Sequence, residues 1–360
     1  MNNENFFEEF NKVRRIGKRA FVANLRHRFG CRYQQQTRMH QALADIPLVW
    51  RHLEVTPKLL LEGGERTVTN LRELLDRYIL EHMVVDNLLE IAACKARMGV
   101  IEGTFNAKAG HPGGSLSICD VLAYLYFCEM NVDPQNPKMK SRDRFVLSKG
   151  HAAPALYSVM SLRGFFGWEE IAKLRKPHAM LQGHPSIKNT PGVDMSTGSL
   201  GQGISTAVGM ALSSKHFNEG YRVYTILGDG EIEEGQVWEA AMFAANKKLD
   251  NLVAYIDFNN LQIDGTVEEV NSPEPIDAKF EAFGWNVITI DAHDFDAIES
   301  AYKAARECKG KPTAIIGKSI KGKGVSYMEN QVGWHGSAPN AEQAEIALAE
   351  LSAQLEALNG

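Results

Sequence analysis

The chain has 360 residues, 44% apolar and 23% charged, with 39 Lys and Arg against 44 Asp and Glu for a net charge of −5. That usage excludes a disordered or fibrous chain, and the acidic balance argues against binding nucleic acid or an anionic membrane over the whole surface. At about 150 residues per domain, the length allows two domains.

The N-terminus opens with Glu4, Glu8 and Glu9 rather than a basic and then apolar leader, so no secretory signal is expected. From Phe10 to Ala44 there are nine Lys or Arg and no acid, which leaves 30 basic and 44 acidic residues, or −14, for the remainder. Phe21, Val22, Leu25 and Phe29 interleave with Arg26, Arg28 and Arg32 at amphipathic helical spacing. An organelle transit peptide would look similar, but the early acids and the lack of serine before Ser115 count against it. Residues 1–70 are therefore read as a basic helical extension whose charged face is solvated or meets an acidic partner. The Leu61-Glu62-Gly63-Gly64 stretch reads as a linker.

From Leu71 to Ala96, apolar positions recur at helical spacing without Gly or Pro, which predicts a long core helix. The longest apolar run, Val121–Cys128, has eight residues, against roughly 20 for a membrane span. Cys31, Cys94, Cys119, Cys128 and Cys308 are scattered and odd in number, so neither a disulfide framework nor a zinc knuckle is expected; the compartment is read as cytoplasmic. Short β-branched runs follow at Phe145–Leu147, Val223–Leu227, Leu252–Ile256, Val287–Ile290 and Ala314–Ile316, separated by Ala-rich helical stretches. Strands apolar on consecutive residues are buried on both faces, and their alternation with helices predicts an α/β, doubly wound parallel sheet. In such sheets ligands sit beyond the carboxyl ends of the strands.

Two of those ends carry polar clusters. Gly228-Asp229-Gly230 follows one run, and Asp257-Phe258-Asn259-Asn260-Leu261 follows the next. Alone, either reads as an ordinary turn. Paired across one crossover, Asp229, Asn259 and a backbone carbonyl offer hard oxygens that, with two diphosphate oxygens and a water, complete the octahedron Mg²⁺ demands.

The pairing resembles the signature of thiamine diphosphate enzymes. Five further segments make the chain similar to the transketolase family over about residues 70–340: Gly110-His111-Pro112-Gly113-Gly114, Ser148-Lys149-Gly150-His151, Gly183-His184-Pro185, Asp194 to Gly203, and Trp334-His335-Gly336. The nearest form is the N-terminal subunit of a split transketolase. The resemblance implies a thiamine diphosphate-binding domain over 71–340, with 341–360 as a C-terminal helix. It implies Mg²⁺, or Ca²⁺ or Mn²⁺, held by Asp229, Asn259 and the Leu261 carbonyl. Cofactor contacts would come from His151, Gly198, Leu200, Gly228, Asp229, Gly230, Glu234, Asn259 and His335. His111 and His184 would face the reacting end of the ketose, while His151 and His335 would bind diphosphate and assist proton transfer. Imidazoles suit that work because they donate to anions and exchange protons near neutral pH.

The other histidines, His293 among them, have no motif around them and read as core or surface groups. The Gly198–Gly203 turn is expected to open a helix over 204–212 whose free N–H groups favour anions. Glu234 and Glu239 are placed on a helix beginning near Glu233, where the family has the first at a contact between cofactor-binding domains. Lys318 and the Lys321-Gly322-Lys323-Gly324 run read as exposed loop cations that could also neutralise phosphate. Ala152-Ala153 and Ser186 depart from full-length family members. A helix over Ala341–Leu358 leaves no room for the second domain whose carboxylate activates the cofactor. The expectation is therefore a chain inactive by itself, joined by a C-terminal subunit carrying the pyrimidine-binding domain in an α2β2 heterotetramer acting on sugar phosphates. The alternatives are a deoxyxylulose phosphate synthase, an E1 subunit of a 2-oxo acid dehydrogenase, and a non-catalytic regulatory paralogue.

Overall fold

The computed structural model describes residues 65–359, with side chains from Val85 onward; the basic extension and its linker lie outside the described residues. The chain divides into two units, Met1–Leu88 and Leu89–Gly360, and the sheet and its loops belong to the second. Helix α1 runs Glu65–Ala107, longer at both ends than its periodicity predicts. It continues through Gly99, where Ser158 and Trp168 occupy the space a side chain would need, so their close packing requires glycine. It stops where Lys108 turns to φ 53° and Gly110 to φ 140°, a left-handed exit that glycine makes cheaply.

The remaining helices are α2 (Pro112–Leu116), α3 (Cys119–Tyr124), α4 (Ala153–Arg163), α5 (Gln202–Phe217), α6 (Gly235–Asn246), α7 (Val267–Asn271), α8 (Ile276–Ala282), α9 (Phe295–Glu307) and α10 (Ala341–Asn359). Between them run β1 (Arg144–Leu147), β2 (Val223–Gly228), β3 (Leu252–Phe258), β4 (Asn286–Asp291) and β5 (Thr313–Lys318). All neighbouring pairs are parallel, in the order β1-β2-β3-β5-β4. Each predicted run falls inside an observed strand.

Side-chain alternation explains the two packed faces. On one, Val223, Leu227, Leu252, Ala254, Ile256, Ala314 and Ile316 meet Ile204, Ala207 and Ala211 of α5, Val237, Ala241 and Ala244 of α6, and Phe280 of α8. On the other, Tyr224 meets Tyr302 of α9 at 6.0 Å between rings, and Tyr302 stacks on Tyr124 of α3 at 5.6 Å. Removing each large aliphatic side chain from water contributes roughly 1.5–3 kcal/mol, so the central strands anchor the sheet. Strand β4 departs from the expectation of burial on both faces: none of its residues is fully buried, whereas β1, at the opposite edge, is covered over Phe145–Leu147. Among the described residues no helix is long and apolar enough to cross a membrane.

Candidate functional site

Register builds the floor of the site. Gly228 pairs with Asp257, and Asp257 with Gly317, across β2, β3 and β5. The segments leaving those strands, at Asp229, Asn259 and Ser319, therefore emerge side by side at the carboxyl edge.

Asp257 is the buried centre, with none of its surface exposed. One oxygen accepts from Lys149 Nζ at 2.5 Å, Ser117 Oγ at 2.7 Å and Asn259 Nδ2 at 2.8 Å; the other accepts from Ser319 Oγ. Burial pushes this carboxyl upward, but the Lys149 ammonium and these hydrogen bonds overcome it and hold the group below the ordinary carboxylate range. Asp229 is buried as well. Its Oδ1 accepts from Gly230 N at 2.9 Å and its Oδ2 from Asn260 N at 2.6 Å. Burial, then the charge of Asp257, pushes Asp229 upward, so a cation placed here would relieve it. Asn259 Oδ1 accepts from Leu261 N at 3.2 Å. The Leu261 carbonyl accepts from Lys321 Nζ at 2.7 Å.

The four motif histidines converge. The His111 ring lies 5.1 Å from His151, 6.5 Å from His184 and 5.6 Å from His335, and His151 lies 5.2 Å from His335. They come from the residue before α2, the turn after β1, the loop between α4 and α5, and the segment after β5. Lys321 Nζ is 2.9 Å from His335 Nδ1. An ammonium only donates, so that nitrogen accepts and the His335 proton sits on Nε2. His111 Nδ1 and Thr197 Oγ1 are buried without a hydrogen-bond partner, which leaves polar groups for a ligand to satisfy. A Cβ at Gly114 would stand 3.5 Å from both His151 Nε2 and Lys149 Nζ; glycine keeps that basic cradle open.

The electrostatics fit an anion. Burial, then the charges of Arg175 and His184, lowers His111 to about 4. Burial, then Lys321, lowers His335 to about 3, and burial with Lys149 lowers His151 well below its ordinary value. All three are neutral at pH 7, beside the lysines that supply positive charge. Because the folded values lie below the unfolded 6.5, the unfolded chain binds protons first. The stability these groups contribute is complete above 6.5 and is lost as pH falls toward 4 and 3. We expect the melting temperature of the ligand-free chain to drop as pH is taken from about 7 to about 5, and the double variant H111Q/H335Q to flatten that slope. An unchanged slope would contradict it.

The glycine turn behaves differently from its sequence-based reading. Helix α5 begins at Gln202 after Gly201 at φ 78°, and the Gly201 N–H is already taken by Glu231 Oε1 at 2.9 Å. That buried carboxylate also accepts from Ser148 Oγ at 2.5 Å and, through Oε2, from Gly228 N at 3.0 Å. The anion at this turn is thus the chain's own. A Cβ at Gly203 would meet the Ser148 Cα at 2.6 Å, so glycine is required for α5 to approach β1. Gly198 packs on His184, with 3.1 Å between its would-be Cβ and the ring. Leu200 is exposed and its carbonyl accepts from Gln236. Glu234 and Glu239 are exposed, Glu234 as the N-cap of α6. Neither Gly228 nor Gly230 has positive φ; Gly230 is needed for space, since a Cβ would press Gln262 at 3.2 Å.

Sequence reasoning placed Lys321 in an exposed loop, and this is corrected: only 1% of it is exposed, whereas Lys318 is exposed. It gave Lys149 no role of its own and missed Glu231. For Lys149 a signal existed, since a lysine directly after a buried strand faces the carboxyl edge. His293 is a structural group, with Nδ1 2.7 Å from Asp120 and Nε2 accepting from Ile320 N at 3.0 Å.

Residues 90–355 match the family described as transketolase, thiamine diphosphate binding domain. The chain is 50% identical over 242 residues to the 6-deoxy-6-sulfo-D-fructose transketolase subunit SqwG of Clostridium sp. (strain MSTE9), covering 67% of this chain and 88% of that one. It is 44% identical over 270 residues to one subunit of the apulose-4-phosphate transketolase of Phocaeicola vulgatus, covering 75% and 96%. The crystal structure of Campylobacter jejuni transketolase aligns with a TM-score of 0.69 at 32% identity over 74% of this chain and 42% of that chain. The match to this full-length enzyme thus takes in less than half of its length.

Proposed function

Because this chain belongs to the transketolase family, we propose that it is the diphosphate-binding subunit of a two-chain transketolase moving a two-carbon ketol unit from a ketose phosphate or related sugar to an aldose phosphate. The observation that carries the reading is the convergence of four imidazoles, Lys149 and Lys321 with the Asp229 and Asn259 pair at one sheet edge. Two relatives that this chain covers almost completely are named as subunits, which supports a partner subunit; we extend this to an α2β2 heterotetramer in the cytoplasm.

The residues fit the implied groups. Asp229, the Asn259 carboxamide and the Leu261 carbonyl supply hard oxygens for Mg²⁺. Thiamine diphosphate, when bound, supplies the carbanion and electron-sink chemistry at its thiazolium ring. The chain's own part is to hold and to move protons. Lys149 and Lys321 would neutralise the diphosphate, the uncharged His151 and His335 would donate hydrogen bonds that orient it, and Gly198, Leu200, Gly228, Gly230 and Glu234 would line its approach. His335 keeps its proton on Nε2 and can donate a hydrogen bond through it. His111 and His184, neutral at pH 7, can take a proton from a ketose hydroxyl and return it to the acceptor.

The test is two-carbon transfer from xylulose 5-phosphate, with pyruvate as the competing donor, by this chain alone and with the product of the neighbouring open reading frame. Activity only with both chains, with Mg²⁺, thiamine diphosphate and the sugar phosphate, is expected. Robust turnover by this chain alone, or a preference for pyruvate, would falsify the reading.

A further inference from the structure

We propose that Asp257 is a positioning residue which fixes the Asn259 carboxamide with its oxygen turned to the cation and steers Lys149 toward the diphosphate. The inference rests on the reading of Asn259 as a cation ligand and deepens it. A carboxamide is ambiguous by nature, because oxygen and nitrogen can exchange places by one rotation. Only the oxygen can bind a metal ion. In this chain the choice is made by a carboxylate: Asp257 Oδ2 can only accept, and it lies 2.8 Å from Asn259 Nδ2. The nitrogen is therefore held inward. The oxygen is left on the Leu261 side, where it accepts from Leu261 N.

The same Oδ2 accepts from Lys149 Nζ at 2.5 Å, so one atom aims both a neutral oxygen ligand and a cation. Ser117 and Ser319 supply two further hydrogen bonds and keep the carboxylate in place. Asp257 has no exposed surface, and β3 presents it between Gly228 and Gly317. It touches neither substrate nor cofactor; it acts through Asn259 and Lys149. Partners in this outer layer around a metal site commonly matter by roughly 10- to 100-fold in metal affinity.

The experiment reads free Mn²⁺ by electron paramagnetic resonance in a titration of the full chain with its partner subunit and thiamine diphosphate present. In D257N, residue 257 can present either an oxygen or an NH₂ group, so Asn259 is no longer forced to turn its nitrogen inward. We expect Mn²⁺ affinity to fall roughly 10- to 100-fold. The reciprocal variant D257N/N259D restores a donor opposite an acceptor, keeps one carboxylate near Lys149, and puts oxygen toward the ion whichever way residue 259 turns. It is expected to recover most of the loss. Melting curves of each variant separate folding from binding. Wild-type affinity in folded D257N, or a folded double variant that binds no better than D257N, overturns the positioning role. Should D257N not fold, the double variant alone decides: Mn²⁺ affinity near wild type supports the proposal, and loss of binding overturns it. No Mn²⁺ uptake by the wild-type chain together with its partner subunit would overturn the cofactor reading itself.

Discussion

Asp229→Asn lowers two-carbon transfer by the two-chain enzyme about a thousandfold while leaving the fold intact. The side chain keeps its shape, but an amide offers one acceptor where the carboxylate offers two, to Gly230 N and Asn260 N. One backbone donor is left facing an NH₂ group. Against that cost, the substitution removes a charge that burial and Asp257 already disfavour. The two terms oppose, so stability changes little. Function has no such compensation, because the proposed cation site loses its anionic side chain. A bound cation supplies several kcal/mol of electrostatic stabilisation, and about 4 kcal/mol corresponds to three decades in rate. The check is kcat/KM with the partner chain over a Mg²⁺ series beside a thermal melt. Activity within about tenfold of wild type would remove Asp229 from the site.

Lys149→Met has the opposite profile, a direct loss of stability. It leaves Asp257 ionised in the interior with its strongest donor gone. Breaking one side of a buried ion pair typically costs about 3–5 kcal/mol, and since Ser117, Ser319 and Asn259 still donate, about 3 kcal/mol is expected. In denaturant melts the midpoint should fall with an unchanged slope. The paired variant K149M/D257L removes both charges but leaves Ser117 Oγ, Ser319 Oγ and Asn259 Nδ2 without their acceptor, so it should regain only part of the stability and no Mn²⁺ binding. A single variant as stable as wild type would show that the pair contributes nothing.

Much of the fold was legible because it depends on periodicity. The runs at Val223–Leu227 and Leu252–Ile256 are apolar on successive residues, and they became the fully covered centre of the sheet. Residues Val287–Ile290 have the same texture, yet their strand lies at an edge; position in a sheet is set by chain crossings that local composition does not encode. The convergence of polar groups was legible where glycine flanks a histidine, as at His111, His151, His184 and His335. It was not legible where a charge is buried by distant partners. Lys321 and Lys323 share one glycine-rich run, but only Lys321 reaches inward to the Leu261 carbonyl, 60 residues away. Glu231 looks like one more acid in an acidic loop, and its partners Ser148 and Gly201 stand 83 and 30 residues away.

The Glu231 carboxylate ties together three stretches of chain, at Ser148, Gly201 and Gly228. Its consequence is evolutionary: segments exchanged between relatives can be grafted here only when positions 148 and 231 travel together. A chimera that swaps the β1 turn alone, placing a larger apolar residue at 148, would strand an acid in the interior and misplace the segments it joins, even though every imidazole nearby had been preserved.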